Sequence, residues 1–301
     1  MIEFVNAKIN IGLQIVRKRE DGYHDLQTVF YPVGIYAGTP ENPEVFGDIL
    51  ELSQSPAGEI DPSREEEIRL RMPRIELGGK RVDCEMEKNL VWRAAREFID
   101  KTGVDASALT LRLEKHLPFG AGMGGGSADA SFTLRILAKQ FGIETLPLEE
   151  MALRLGADCP FFIRNRAVYA EGVGEKMSDI DLNLGGYWLV AVKPDLFIST
   201  KEAFAGVRPK EADFDLRRLP EIPIREWRGI VKNDFEVSLA PRYPIIGEIK
   251  ERLYKSGALY AAMTGSGSVV YGIYGTKEEA VKSHCEFAGE TTIEHVYLLK
   301  L

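Results

Sequence analysis

Between Pro118 and Ala130 the chain reads Pro-Phe-Gly-Ala-Gly-Met-Gly-Gly-Gly-Ser-Ala-Asp-Ala, which places five glycines, Gly120, Gly122, Gly124, Gly125 and Gly126, within seven residues. An apolar run of helical spacing, Phe132 to Phe141, follows directly. Glycine admits positive φ and lets a ligand approach the backbone. Such a loop can turn its N–H groups inward while the helix beginning near Ser127 adds the positive end of its dipole. We read a phosphate cradle, because no packing role needs that many glycines and a flexible linker is seldom flanked by patterned apolar segments. Gly120-x-Gly122-x-x-Gly125 satisfies the dinucleotide fingerprint, but that pattern opens a first βαβ unit with an acid closing a second strand about 20 residues on. Near Glu144 the sequence offers a turn before a helix instead. A P-loop needs Lys-Ser/Thr after its last glycine, where this chain has Gly126-Ser127.

Further groups carry polar chemistry. In Ala7-Lys8-Ile9-Asn10 an amine and an amide stand one pleat apart and face the same way; a solvated edge lysine is the competing reading of Lys8. Asp158 sits on a short corner between the helix stop Gly156 and an apolar strand, because Pro160 biases Cys159 away from helical backbone. A carboxylate there needs a partner or a task, and capping or turn formation stands beside a catalytic or metal role. Met263-Thr264-Gly265-Ser266-Gly267-Ser268 is a second glycine-serine turn, open to reading as a plain hairpin or a ligand loop. Arg17 to His24 is a basic cluster with a turn signal at Asp21-Gly22, by itself only a hairpin.

The elements around these groups must position them. Residues 2 to 16 and Leu26 to Val33 read as strands, and the segment Gly38 to Glu44, with Pro40 and Pro43, as an exposed insertion. Residues 54 to 67 read as a polar loop, Asn89 to Ile99 as an amphipathic helix, and Leu109 to Leu113 as the strand feeding the glycine tract. The helix after the tract stops at Gly142, and a shorter one runs from Leu148 to Leu155. Val168 to Glu175 is a strand entering a glycine turn, and the polar stretch to Gly186 reads as a domain crossover. Strands at 187–193, 258–263, 269–274 and 295–299 alternate with helices at 200–204, 245–255 and 277–287, the last opened by a Thr276/Glu279 capping box; 205–228 is polar. That β-α-β-β-α-β order fits a ferredoxin-like layer.

At 301 residues two domains are expected. The net charge of −8 argues against a nucleic-acid surface or general attraction to anionic membranes, so an anionic substrate must be held by local donors. Cys84, Cys159 and Cys285 are far apart, give no metal signature, and read as buried small apolar residues in a reducing compartment. With no basic leader and no long apolar window, the protein is expected to be cytoplasmic.

Taken in order, Ala7 to Asn10, Pro118 to Ala130 and Met263 to Ser268 resemble the three motifs of the GHMP small-molecule kinases; each is weak alone, and the ordered set is specific. Asp21 to Thr28, Leu155 to Phe162 and Ala170 to Glu175 are similar to the branch of that family acting on a cytidine-diphosphate-linked polyol. The resemblance spans the chain from about residue 4 onward. It implies an α+β, two-domain GHMP kinase fold: an ATP-binding, ribosomal-S5-like domain over 1–166 and a ferredoxin-like domain over 167–301. The implied activity is ATP-dependent phosphorylation of the C2 hydroxyl of that polyol, in non-mevalonate isoprenoid precursor synthesis. A kinase for another small alcohol is the near alternative, and a catalytically silent nucleotide-binding regulator the distant one.

By the same resemblance Asp158 is the general base, and Lys8 lies beside it to polarise the hydroxyl. Pro118, Gly120, Gly122, Gly124, Gly125, Gly126 and Ser127 hold ATP, with Asn89 and Lys115 near the nucleotide. Tyr23 and Phe204 are implied to stack the cytosine, His24 to meet its edge, and Asn10 to lie near the polyol and phosphate. Thr264, Gly265 and Gly267 are implied to close around substrate phosphates. Mg²⁺ is implied, bound mostly through phosphate oxygens and water, with no protein ligand assigned. Met123 departs from a frequent leucine, and Ala128 from a second serine, which leaves Ser127 to suffice.

Overall fold

A computed structural model of the chain describes residues 1–34, 46–55, 66–67, 70–81, 84–143 and 145–301. The insertion expected at Gly38 to Glu44 and most of the loop at 54–67 lie outside the described residues. In chain order the strands are β1 (Ile2–Val5), β2 (Ala7–Lys18), β3 (His24–Val33), β4 (Asp48–Gln54), β5 (Arg74–Gly79), β6 (Leu109–Lys115), β7 (Val168–Gly172), β8 (Lys176–Asp179), β9 (Trp188–Pro194), β10 (Tyr260–Met263), β11 (Val270–Tyr274) and β12 (Ile293–Lys300). The helices are α1 (Leu90–Thr102), α2 (Gly125–Phe141), α3 (Leu148–Leu155), α4 (Cys159–Arg164), α5 (Thr200–Ala205), α6 (Asp234–Leu239), α7 (Pro244–Lys255) and α8 (Lys277–Phe287).

Two compact units form, each discontinuous in sequence. The first takes Met1–Asn6, Gly47–Leu117 and Gly124–Asn165; the second takes Ala7–Phe46, Pro118–Met123 and Arg166–Leu301. The chain passes from one unit to the other after Asn165, and another crossing cuts the glycine tract between Met123 and Gly124.

In the first unit a sheet of order β1-β4-β6-β5 is antiparallel except for the parallel β5/β6 pair. Helix α1 shows how its sequence makes it. The Asn89 side chain accepts the Val91 N–H, Val91, Ala94, Ala95, Phe98 and Ile99 fall on one buried face, and Gly103 ends the helix in left-handed backbone. Helix α2 packs against α1 and over β1 and β4, and buries Ala128, Ala130, Phe132, Leu134, Ile136 and Leu137.

In the second unit β2-β3-β7-β8 form one antiparallel sheet. The other, ordered β10-β11-β9-β12 and antiparallel at every pair, carries α7 and α8 and is the expected ferredoxin-like layer. Leu13 and Ile15 of β2 join its core with Val190, Val192, Phe235, Ile249 and Leu253. Thr276 caps α8 by accepting the Glu279 N–H at 3.3 Å, and its hydroxyl lies 3.0 Å from the Glu279 carboxylate.

Several expectations are corrected. Cys159 to Arg164 is not a strand but the helix α4, and Pro160 occupies its first turn, where a missing N–H leaves no helical bond unmade. The stretch read as a crossover contains β8, a polar edge strand that a hydrophobic pattern does not reveal; its Lys176 stands opposite Glu171. Helix α6 was not expected, and 205–228 includes a 3₁₀ helix over Leu216–Glu221. Cys159 is buried, whereas Cys84 and Cys285 are exposed. No helix among the described residues is long and apolar enough to cross a membrane.

Candidate active site

In the first unit the glycine tract ends by becoming a helix. Gly124 takes left-handed backbone (φ 73°), and α2 begins at Gly125 with no side chain capping it among the described residues. Its first turn therefore presents backbone N–H groups on residues without side chains, Gly125 and Gly126, followed by Ser127, at the positive end of a 17-residue helix. This is the geometry of an anion site. Asn89 is buried, and its Oδ1 is committed to capping α1 at 2.9 Å from the Val91 nitrogen.

Lys115 is buried directly beneath that turn: a Cβ on Gly125 would lie 3.2 Å from its Nζ. The ammonium bridges two buried carboxylates, Asp48 at 2.5 Å and Asp129 at 2.6 Å. Asp48 is otherwise well satisfied, since its Oδ1 accepts the backbone N–H groups of His116 and Leu117. Asp129 is not, because its Oδ1 is buried with no hydrogen-bond partner. Burial raises the Asp129 carboxyl to about 8, opposed by Lys115 and reinforced by Asp48. For Lys115, burial pulls down, but Asp129 and Asp48 outweigh it and hold the ammonium charged. Two carboxylates share one cation, and the proton belongs on Asp129.

Asp158 stands at the N-cap of α4 with right-handed backbone (φ −82°, ψ −14°) and makes no capping hydrogen bond to that helix. The helix start is tied to α2 by Ser131, whose hydroxyl lies 2.7 Å from the Cys159 carbonyl and 2.9 Å from that of Ser127. Burial pushes the Cys159 thiol up to about 11, so it stays protonated and takes no nucleophilic part at neutral pH.

In the second unit three stretches that lie far apart in sequence converge. Lys8, only 3% exposed, donates from Nζ to Asn10 Oδ1 at 2.5 Å and lies 4.9 Å from the centre of the Phe30 ring. The alternative of a solvated edge lysine is thereby excluded. Its backbone N–H donates to the Met123 carbonyl at 3.0 Å, which joins β2 to the glycine tract. Asn10 is held on every side. Its N–H donates to Thr264 Oγ1 at 3.0 Å, its Nδ2 to Thr28 Oγ1 at 3.0 Å, and its carbonyl accepts from the Tyr271 hydroxyl at 2.7 Å. Thr264 Oγ1 in turn lies 3.1 Å from the Gly122 carbonyl.

That convergence corrects the premise that packing does not need these glycines. A Cβ on Gly122 (φ 71°) would fall 2.0 Å from the Thr264 carbonyl oxygen, and one on Gly265 (φ 54°) 3.0 Å from that of Gly122. Backbone touches backbone here, and no side chain fits. A Cβ on Gly120 would stand 2.5 Å from the Phe197 ring, and the Gly120 carbonyl accepts the Ser268 N–H at 3.2 Å; Pro118 is buried. Gly267 packs on Met263. A Cβ on Gly126 would meet only Leu90, at 3.4 Å.

Of the three residues expected around cytosine, Phe204 stacks on His24 (4.9 Å, 21°) and meets Phe235 edge-on, while Tyr23 is 65% exposed. The structure thus pairs Phe204 with His24 and not with Tyr23. Burial, then Lys18, lower the His24 pKa, so the imidazole is neutral at pH 7 with one donor and one acceptor.

Sequence reading missed Asp48 and Asp129, whose meaning depends on a partner distant in the chain. It also missed Asn233, which caps α6 through Oδ1 and donates to the Met263 and Gly265 carbonyls at 2.8 and 2.9 Å. Its signal was present as Asn233-x-x-Glu236, a capping-box pattern.

The family model described as GHMP kinases N terminal domain matches residues 89–166, and that described as GHMP kinases C terminal matches 221–288. A 4-diphosphocytidyl-2-C-methyl-D-erythritol kinase of Bacteroides fragilis is 43% identical over 96% of this chain and 97% of its own length. The enzyme of the same name from Bacteroides thetaiotaomicron is 44% identical over 91% of this chain and 92% of its own. A crystal structure of a 4-(cytidine 5'-diphospho)-2C-methyl-D-erythritol kinase superposes with a TM-score of 0.76 at 28% identity, covering 100% of both chains.

Proposed function

The chain belongs to the GHMP kinase family, in the branch of the 4-diphosphocytidyl-2-C-methyl-D-erythritol kinases, and from that membership we propose how its own residues carry out the transfer. It is an ATP-dependent kinase that phosphorylates the C2 hydroxyl of 4-diphosphocytidyl-2-C-methyl-D-erythritol, a step of non-mevalonate isoprenoid precursor synthesis. Asp158 takes the hydroxyl proton as the oxygen attacks the γ-phosphorus of ATP. The bond from that phosphorus to the bridging oxygen breaks, and ADP leaves with the electron pair. Lys8, fixed by Asn10, stabilises the negative charge gathering on the transferred group.

The backbone from Gly120 to Ser127 binds the triphosphate, with the uncapped start of α2 supplying donors and dipole. Lys115 acts from below that turn, and Asn89 through α1. Mg²⁺ would be carried in as part of the MgATP substrate, where it would neutralise phosphate charge. Among the described residues no group of three or more His, Cys, Asp or Glu side chains could hold it independently. Tyr23 offers a stacking face for cytosine, and neutral His24, backed by Phe204, accepts from the ring's amino group. Thr264, Gly265 and Gly267 face the substrate phosphates.

The observation that carries this reading is the buried path from the Lys8 ammonium through Asn10 and Thr264 to the Gly122 carbonyl. It builds a cation into the glycine tract. The test is steady-state turnover with each acceptor: the cytidine conjugate should stimulate ADP release, and free mevalonate or homoserine should not. Stimulation by either of those instead would reassign the substrate.

A further inference from the structure

The turn from Met263 to Ser268 is held by an element that no motif announces. Asn233 is 2% exposed, and its three hydrogen bonds use the whole amide. Oδ1 accepts the Phe235 N–H at 3.0 Å and so starts α6, while the two Nδ2 hydrogens go to the carbonyls of Met263 (2.8 Å) and Gly265 (2.9 Å). The Met263 carbonyl belongs to the peptide unit before Thr264 and the Gly265 carbonyl to the unit after Gly265, so the turn is pinned at one point on each side of the threonine. The segment is anchored in turn. Lys232 accepts the Leu13 N–H, Asp234 accepts the Ile15 N–H at 2.8 Å, and Glu236 accepts the Met263 N–H at 2.7 Å while paired with Lys250. Residues 232–236 therefore fasten the turn to β2, the strand that carries Lys8 and Asn10.

We propose that Asn233 is a positioning residue for phosphoryl transfer: by clamping the carbonyls on either side of Thr264 it sets the Thr264 hydroxyl between Asn10 and the Gly122 carbonyl. Thr264 holds the Asn10 backbone through its N–H, and the Asn10 side-chain Oδ1 accepts from the Lys8 ammonium, so Asn233 controls where that cation sits without touching substrate. A loosened turn moves Lys8 relative to the glycine tract, and displacements of about 1 Å cost on the order of 100-fold in rate. This rests on the reading of Lys8 as the catalytic cation.

The capping and clamping roles separate chemically. Asn233→Ser and Asn233→Thr both keep an oxygen that can accept the Phe235 N–H, and both lose the amide nitrogen that donates to the two turn carbonyls. Each variant is assayed well below its own melting temperature, with KM for ATP and for the cytidine substrate measured apart from kcat. Asn233→Ser is expected to lower kcat about 10-fold or more with either KM changed less than about threefold. In a double-mutant cycle with Thr264→Val, adding Asn233→Ser should cost less than about twofold further, because both act through one hydroxyl. Lys8→Met is run alongside. If Lys8→Met abolishes turnover while Asn233→Ser keeps wild-type kcat, or if the Asn233 and Thr264 losses multiply, the positioning role is wrong and the reading of Lys8 stands. If Lys8→Met itself leaves kcat unchanged, both fall. Should Asn233→Ser not fold, Asn233→Thr, which also keeps a capping oxygen, carries the same comparison.

Discussion

Replacing Gly122 by alanine tests whether the second unit's contact between glycine turns matters to turnover or only to folding. The added Cβ would stand 2.0 Å from the Thr264 carbonyl oxygen. That is more than 1 Å short of ordinary contact at about 3.5 Å, and the obstacle is backbone rather than a side chain that can swing away. Left-handed backbone at φ 71° adds about 1–2 kcal/mol for any residue with a Cβ, and parting the segments sacrifices the Thr264–Gly122 hydrogen bond, about 1 kcal/mol. A stability loss of about 2–3 kcal/mol lowers Tm by less than about 10 °C in a chain of this size. The kinetic effect is larger, because relieving the clash moves the tract against Asn10 by about 1 Å, and misplacement on that scale costs on the order of 100-fold. We expect kcat/KM, measured by coupled ADP release at 25 °C, to fall about 100-fold while the protein remains folded by its melting curve. Gly126→Ala is the control. Its φ is ordinary and its Cβ meets only Leu90 at 3.4 Å, so its Tm should hold or rise. Wild-type kcat/KM in Gly122→Ala would refute the reasoning.

Further outcomes follow from the buried charges and the histidine. Lys115→Met leaves Asp48 and Asp129 buried without their cation and should cost about 3–5 kcal/mol by chemical denaturation; a loss under about 1 kcal/mol would show that the triad does not bear on stability. The Asp129 carboxyl is raised to about 8 from its ordinary 3.8, so the folded state holds a proton that the unfolded chain releases. Its contribution is full below the ordinary value and is lost as pH rises through about 8, so the Tm of Asp129→Asn should gain on wild type between about pH 5 and pH 8, and a constant difference would contradict the assignment. Because burial and Lys18 hold the His24 pKa below its usual value, KM for the cytidine substrate should climb only at pH values below the ordinary imidazole range. His24→Gln should flatten that rise, and an identical profile in the variant would remove His24 from the cytosine edge.

Local pattern carried much of this architecture. The cap at Thr276, the stop at Gly142 and the ferredoxin-like strand order follow from short-range chemistry, and the structure realises each of them. Proline misled where its two tendencies compete: Pro160 discourages helix before itself, yet it suits a first turn, and the apolar Phe161 and Phe162 that suggested a strand are the buried face of α4. The glycine tract was located, but its glycines were credited wholly to a ligand. Gly122 needs to be glycine because Thr264 lies against it, a contact between residues 142 apart that no local window contains. Asp48 was invisible for the same reason, being 67 residues from the lysine that gives it meaning. Lys8 could be placed on a face by its pleat, but its burial depended on the elements packed around β2.

The account stands most directly on where the γ-phosphoryl group goes. Protein incubated with γ-labelled ATP, Mg²⁺ and 4-diphosphocytidyl-2-C-methyl-D-erythritol should pass the label to the C2 oxygen of the cytidine conjugate, and Asp158→Asn should abolish that transfer while still binding ATP. Label that stays on ATP, or that moves as quickly in Asp158→Asn as in wild type, would contradict it.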